Sequence, residues 1–119
     1  MMTLNTLRAV LDNFSDIIVG VEDKTVGTSR KIRINIKHGS FADVWRSDSG
    51  RYSYHWERKH VNGSIYRFNN APHHKDIRTF PDHLHYGNED NVIDSSMGTT
   101  DFESALAQVL VFIRQMLAG

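Results

Sequence analysis

The sequence predicts an α+β domain. An antiparallel sheet of about five strands carries an N-terminal and a C-terminal helix on one face, and a long histidine-rich loop precedes the last helix. Three observations carry that prediction. Apolar residues recur at helical spacing near both ends of the chain. Glycines punctuate residues 20–63 at hairpin intervals, with short strand-like runs between them. Six of the seven histidines fall between His55 and His85, and four of them crowd into residues 70–85.

The first element is a helix. Leu4, Leu7, Val10, Leu11 and Phe14 form one apolar stripe behind Thr3, a residue type that caps helix starts. Strand-like runs follow at Ile17–Glu22, Arg30–Lys37, Phe41–Arg46, Arg51–Lys59 and Ser64–Asn70. The second alternates cleanly, with Ile32, Ile34 and Ile36 inward and Lys31, Arg33, Asn35 and Lys37 outward. Asn62-Gly63 marks a hairpin turn between the last two runs. A turn with one bulged residue puts Tyr52, Tyr54, Trp56, Tyr66 and Phe68 on one face and His55, Glu57, Arg67 and Asn69 on the other. That register separates apolar from polar side chains, so it is preferred over a strict two-residue turn. Residues 71–99 show no regular pattern, and so long a connection in a compact domain is usually functional or disordered. A closing helix starts at a capping box, Thr100-Asp-Phe-Glu103. Its core stripe is Phe102, Leu106, Val109, Leu110, Ile113, Met116 and Leu117, with Val111 and Phe112 off the main line.

Composition narrows the function. A chain of 119 residues makes a single domain, residues 1–119, and the absence of cysteine excludes disulfides, zinc–thiolate sites and thiol nucleophiles. The expected setting is cytoplasmic, with no leader peptide and no membrane partner. The net charge of zero conceals an asymmetry. Residues 1–70 hold 11 Lys/Arg against 7 Asp/Glu, and residues 71–119 hold 3 against 7. A local basic face remains open to a polyanion, although bulk charge does not argue for one. Phosphate-cradling glycine loops, serine-nucleophile elbows and dinucleotide fingerprints are all missing.

Three ordered motifs carry a resemblance: Tyr52-Ser-Tyr-His55-Trp56, Arg67-Phe-Asn-Asn-Ala-Pro-His73-His74, and Thr79-Phe-Pro-Asp-His83-Leu-His85. Together they closely resemble the TumE-like family of toxin–antitoxin proteins. Asn69 and Leu84 depart from the pattern, which often has aspartate at the first position and a basic residue at the second. The resemblance implies a small toxin neutralised by a cognate antitoxin, expected to be a helix-turn-helix protein. It brings no catalytic assignment, so the chemistry rests on residue types.

Histidine titrates near neutral pH and is the commonest metal ligand. Attack of a ribose 2′-hydroxyl on its phosphate needs a base, an acid and cations around the phosphorane. Candidates for the acid/base pair are His83 and His85 first, then His73, His74 and His55. Arg67, Lys75 and Arg78 could hold phosphate, and Tyr54 and Tyr86, with Trp56, could stack bases. This reading makes RNA the substrate and needs no cofactor or metal. A second reading is a metal site in which His83 and His85, alternating along an extended chain, are completed by His73 or His74 and Asp82. A third makes the histidines fasteners of a long loop. The alternative to an enzyme is a non-catalytic binding protein for nucleic acid or antitoxin, and the wide last helix allows a homodimer. His38 and His60 read as exposed turn residues, and Glu89-Asp90 as a surface turn.

Overall fold

The computed structural model describes residues 4–95, 97 and 101–119. In chain order they form α1 (Leu4–Asp12), β1 (Ile18–Asp23), β2 (Ile32–Ile36), β3 (Ser40–Arg46) and β4 (Tyr52–Arg58). A one-turn helix α2 (Lys59–Asn62), then β5 (Ser64–Asn69), β6 (His83–Gly87), β7 (Val92–Asp94) and α3 (Phe102–Ala118) complete them. All the strands join in one antiparallel meander, β1-β2-β3-β4-β5-β6-β7, in which each strand pairs with its sequence neighbours. The α+β class is as the sequence predicts, but among the described residues the sheet has seven strands rather than five.

One face of the sheet builds the core. Ile32, Ile34, Ile36, Ala42, Val44, Tyr52, Tyr54, Trp56, Tyr66, Phe68 and Leu84 are buried there against Leu7 and Phe14 of the N-terminal segment and Leu106, Val109, Leu110 and Ile113 of α3. Burial of this apolar area is the main force holding the helices to the sheet. Phe112 belongs to that core, with its ring edge-on to Trp56, Tyr66 and Phe68. Val111 stays exposed. Arg114 ties α3 to the segment after α1 through the Asp16 carboxylate and the Asn13 carbonyl, and lies over the Phe14 ring.

Trp56 shows how tightly the core is specified. It is 1 % exposed, stacks on Tyr66 with ring centroids 5.3 Å apart, and donates its indole N–H to Ser40 Oγ at 3.0 Å. Both partners of that bond are buried. Ser40→Ala is therefore predicted to lower unfolding free energy by about 1–2 kcal/mol, because the indole donor loses its partner without regaining water. Urea denaturation measures this, and no change in midpoint would count against the bond.

The β4–β5 pairing sets Trp56 opposite Tyr66, Tyr54 opposite Phe68 and His55 opposite Arg67. The apolar and polar faces separate as the sequence predicts. The connection is a single helical turn, Lys59–Asn62, closed by Gly63 at φ 80°, rather than a bulged hairpin turn. His60 is exposed in that turn, and His38 is exposed before Gly39.

At α3 the cap sits one residue later than the capping box predicts: Asp101 is the N-cap and accepts from the Ser104 amide at 2.8 Å. Asp is among the best acceptors at that position, and its charge suits the positive end of the helix. Thr3 and Thr100 lie outside the described residues.

The region read as one long irregular loop contains two strands. β6 pairs with β5 through Tyr66–Tyr86, Arg67–His85, Phe68–Leu84 and Asn69–His83, and β7 extends the sheet beyond it. Leu84 and Tyr86 share the helix-side face with Phe68 and Tyr66. His83 and His85 therefore share the opposite face with Arg67, Asn69 and His55.

Candidate functional site

That opposite face assembles the site. His83 and His85 alternate along β6, so both side chains leave the sheet on the same side. They are 2 % and 7 % exposed, although they lie on the face without helices. Ring contacts with His74, from the loop between β5 and β6, help to explain this burial. Ring centroids lie 4.7 Å apart for His74–His83, 5.5 Å for His74–His85 and 5.0 Å for His83–His85. One nitrogen from each of the three lies within 4.8 Å of the other two.

The loop that carries His74 is fixed by side chains. Asn70 accepts from the Tyr52 amide and donates to the Gly50 carbonyl, while Asn69 Oδ1 accepts from the Ala71 amide. Thr79 donates to the Asp82 carbonyl and accepts from the Ser95 amide. The Tyr52 hydroxyl donates to Asp82 at 2.7 Å, and burial followed by this carboxylate pushes the phenol pKa far upward. Asp82 is thus committed to Tyr52, which argues against it as a metal ligand.

The proton positions follow from the partners. His83 Nδ1 lies 2.9 Å from the Pro81 carbonyl oxygen, and His85 Nδ1 lies 2.9 Å from the Glu89 carbonyl oxygen. A carbonyl oxygen only accepts, so each Nδ1 carries the hydrogen and, in the neutral ring, each Nε2 presents a lone pair. Burial pushes the His83 pKa below its ordinary value; the Pro81 carbonyl opposes that shift, and His85 and His74 add to it. His83 therefore favours the neutral ring, with the Nε2 lone pair unprotonated.

His55 lies on the same face but is engaged on both sides. Arg67 Nε donates to His55 Nδ1 at 3.0 Å, which leaves Nε2–H to donate to Glu57 Oε1 at 3.0 Å. This makes His55 a support for Arg67 rather than a free acid or base. Arg67 turns its two terminal nitrogens onto the Glu89 carboxylate, and this pairing holds the Glu89 carboxyl below its usual range despite some desolvation. Glu89 stands exposed in the turn after β6, as the sequence predicts. It also links Arg67 to His85, through its carboxylate and its backbone carbonyl respectively. Its position 22 residues from Arg67 in the chain gave no local signal.

The other predicted site residues divide. His73 and Lys75 are exposed on either side of His74. Arg78 is exposed and pairs with Asp94, which stands opposite His83 in the β6–β7 ladder. Tyr54 is corrected: it is 1 % exposed, stacked between Tyr52 and Phe102 in the core, and cannot stack a base. Trp56 is buried in the same layer. Tyr86 is exposed, and its ring meets Tyr66 and Phe112 on the helix side, on the face opposite the histidines.

A cavity of about 710 Å³ lies elsewhere, lined by Lys24, Arg30, Lys31, Trp45 and Arg46 among others. Lys24 pairs with Glu22, Arg30 with Asp23, and Lys31 with Asp43, so its positive charge is largely answered. Arg33 likewise forks onto Asp43 at 2.8 and 2.9 Å and lies over the Phe41 ring. Lys31 and Arg33 on this face are thus both committed to Asp43.

Burial alone would raise the Asp43 pKa, but Arg33 and Lys31 outweigh it and hold the carboxyl below its ordinary 3.8. A depressed carboxylate stabilises the fold above its unfolded pKa, and that contribution is lost as pH falls through the folded value. Asp43→Asn is predicted to melt at a lower temperature than wild type at pH 7. The gap should shrink as pH drops below 3.8. Parallel melting curves across that range would contradict the assignment.

A family model described as toxin TumE matches residues 6–117, nearly the whole chain. Comparisons with curated proteins and with solved structures give no match. Among the described residues no helix is long and apolar enough to cross a membrane. The family is one of toxins, which implies a cognate antitoxin as partner. On the extent of that match and the order of its motifs, the chain belongs to the TumE toxin family.

Proposed function

We propose that this toxin cleaves RNA by histidine acid/base chemistry, with His74, His83 and His85 as the reaction centre. The observation that carries this reading is the convergence of three imidazoles, two of them with lone pairs oriented by Nδ1–H bonds to backbone carbonyls. In the proposed reaction an Nε2 of His85 or His83 accepts the proton of a ribose 2′-hydroxyl. The freed oxygen attacks the adjacent phosphorus, and the P–O bond to the 5′-oxygen breaks. His74, half-buried and nearest to solvent of the three, returns a proton to that leaving oxygen. The products are a 2′,3′-cyclic phosphate and a 5′-hydroxyl. Lys75 and Arg78 supply charge at the rim, and Arg67 supplies it after exchanging Glu89 for phosphate. The cognate antitoxin is proposed to be a helix-turn-helix protein that blocks this centre.

Expression without the antitoxin tests the reading in cells. Growth arrest should coincide with new 5′-hydroxyl RNA ends, and arrest with RNA left intact would favour a binding protein that blocks its target. The Glu89 switch makes a further prediction. Glu89→Gln leaves the backbone carbonyl on His85 in place and frees Arg67, so RNA should bind more tightly. The gain is about threefold, because the pair is half exposed and screened by solvent. Filter binding measures it, and weaker binding would place Glu89 among the substrate contacts.

A further inference from the structure

We propose that His74, His83 and His85 form a binding site for one first-row transition-metal ion, of which Zn²⁺ is the natural representative. Three features of the cluster support this. Each residue offers one ring nitrogen, and these atoms lie within 4.8 Å of one another. A tetrahedral zinc–imidazole site needs about 3.4 Å between donors, from bonds of about 2.1 Å. Closure is therefore a movement of about an ångström, and His74, half-buried beside the buried His83 and His85, is the ligand with room to make it through its side chain.

The second feature is the arrangement behind the ligands. Metal-bound histidines almost always donate their other ring N–H to a carbonyl or carboxylate, which fixes the tautomer and aims the free nitrogen at the ion. His83 does this with the Pro81 carbonyl and His85 with the Glu89 carbonyl, both at 2.9 Å. Two ligands are thus oriented before any ion arrives. The third is ligand type. An all-imidazole set suits zinc, cobalt, nickel and copper, whereas magnesium and calcium require oxygen ligands. The nearby carboxylates are committed elsewhere: Asp82 to Tyr52, Asp94 to Arg78 and Glu89 to Arg67. Three protein ligands leave a fourth position for water.

Metal binding stands on this geometry alone. Its consequence for activity rests on the proposed function: the lone pairs that would accept a proton are those that would hold the ion. Bound metal should therefore suppress RNA cleavage, and a chelator should restore it.

Titration of chelator-stripped full-length protein with Co²⁺ tests the site by the visible absorption of tetrahedral cobalt, with Zn²⁺ displacing it. One ion per chain is expected. His74→Ala, on the covering loop, should weaken binding roughly a hundredfold, and His73→Ala, exposed beside it, should leave binding unchanged. No tetrahedral spectrum, or equal binding by His74→Ala, overturns the site. RNA cleavage by the same stripped protein is scored separately. Cleavage without cobalt binding refutes the metal site alone, and cobalt binding without cleavage by the stripped protein refutes the proposed reaction alone.

Discussion

His85→Ala is expected to relieve growth arrest and to lower RNA cleavage by at least roughly a hundredfold while the protein stays folded. The magnitude is that of removing one positioned acid or base. His85 lies on a central part of the site: its Nδ1 is held by the Glu89 carbonyl, its neighbour across the sheet is Arg67, and its ring meets both His74 and His83. Deleting the imidazole removes a lone pair and leaves the backbone ladder between β5 and β6 unchanged. The cost to the fold is the small cavity and the unpaired carbonyl, which sits on an exposed residue and can turn to water. His85→Gln distinguishes chemistry from support, since its amide can still donate to that carbonyl but cannot serve as the base. Both variants should be inactive with near-native circular dichroism. Full toxicity in either would return His85 to a structural role.

Trp56→Ala is expected to lower the unfolding free energy by about 3–5 kcal/mol, the usual cost of truncating a large buried aromatic residue. The ring fills the centre of the sheet's helix-side face, against Tyr66, Phe112 and the guanidinium of Arg58, which lies 4.6 Å from the ring centroid. Small domains keep only about 5–15 kcal/mol in total, so this one change would leave a substantial unfolded fraction at growth temperature. Denaturant melts would show it, and a loss under about 1 kcal/mol would mean that the core can close around the gap. Toxicity should fall in this variant too, through abundance rather than chemistry. Comparison with His85→Ala therefore requires soluble-protein levels to be matched.

β2, β3 and β4 were legible because each alternates buried with partly exposed residues, and β5 does so from Tyr66 onward. In β2, Ile32, Ile34 and Ile36 alternate with Arg33 and Asn35, and glycines or tight turns mark the strand ends. The β4–β5 face assignment was readable for the same reason. β6 was not, because its His-Leu-His-Tyr alternation spans only His83–Gly87 and sits inside a histidine-rich stretch with no other strand signal. Both of its faces are covered: Leu84 enters the helix-side core while His83 and His85 are buried on the other side. β7, three residues long, is too short to show a period.

Half of the site was readable in the same way. Two histidines separated by one residue must share a face if the chain is extended, and that singled out His83 and His85. The choice of His74 over His73 was not readable. It depends on a loop path held by Asn69, Asn70, Thr79 and Asp82, whose partners lie in β4, in the neighbouring turns and near Ser95. The commitment of His55 to Arg67 and Glu57 is likewise a product of cross-strand register and side-chain reach. Periodicity reports which face a residue is on, and these bonds decide what it does there.

The most direct test of the three-histidine centre is to incubate metal-free protein with a molar excess of mixed RNA and to sequence and chemically type the fragment ends. The account predicts several cuts per protein molecule, persistence in chelator, 2′,3′-cyclic phosphate and 5′-hydroxyl termini, and loss of cutting in His85→Gln. RNA left intact at equimolar protein, or cutting undiminished in that variant, would contradict it.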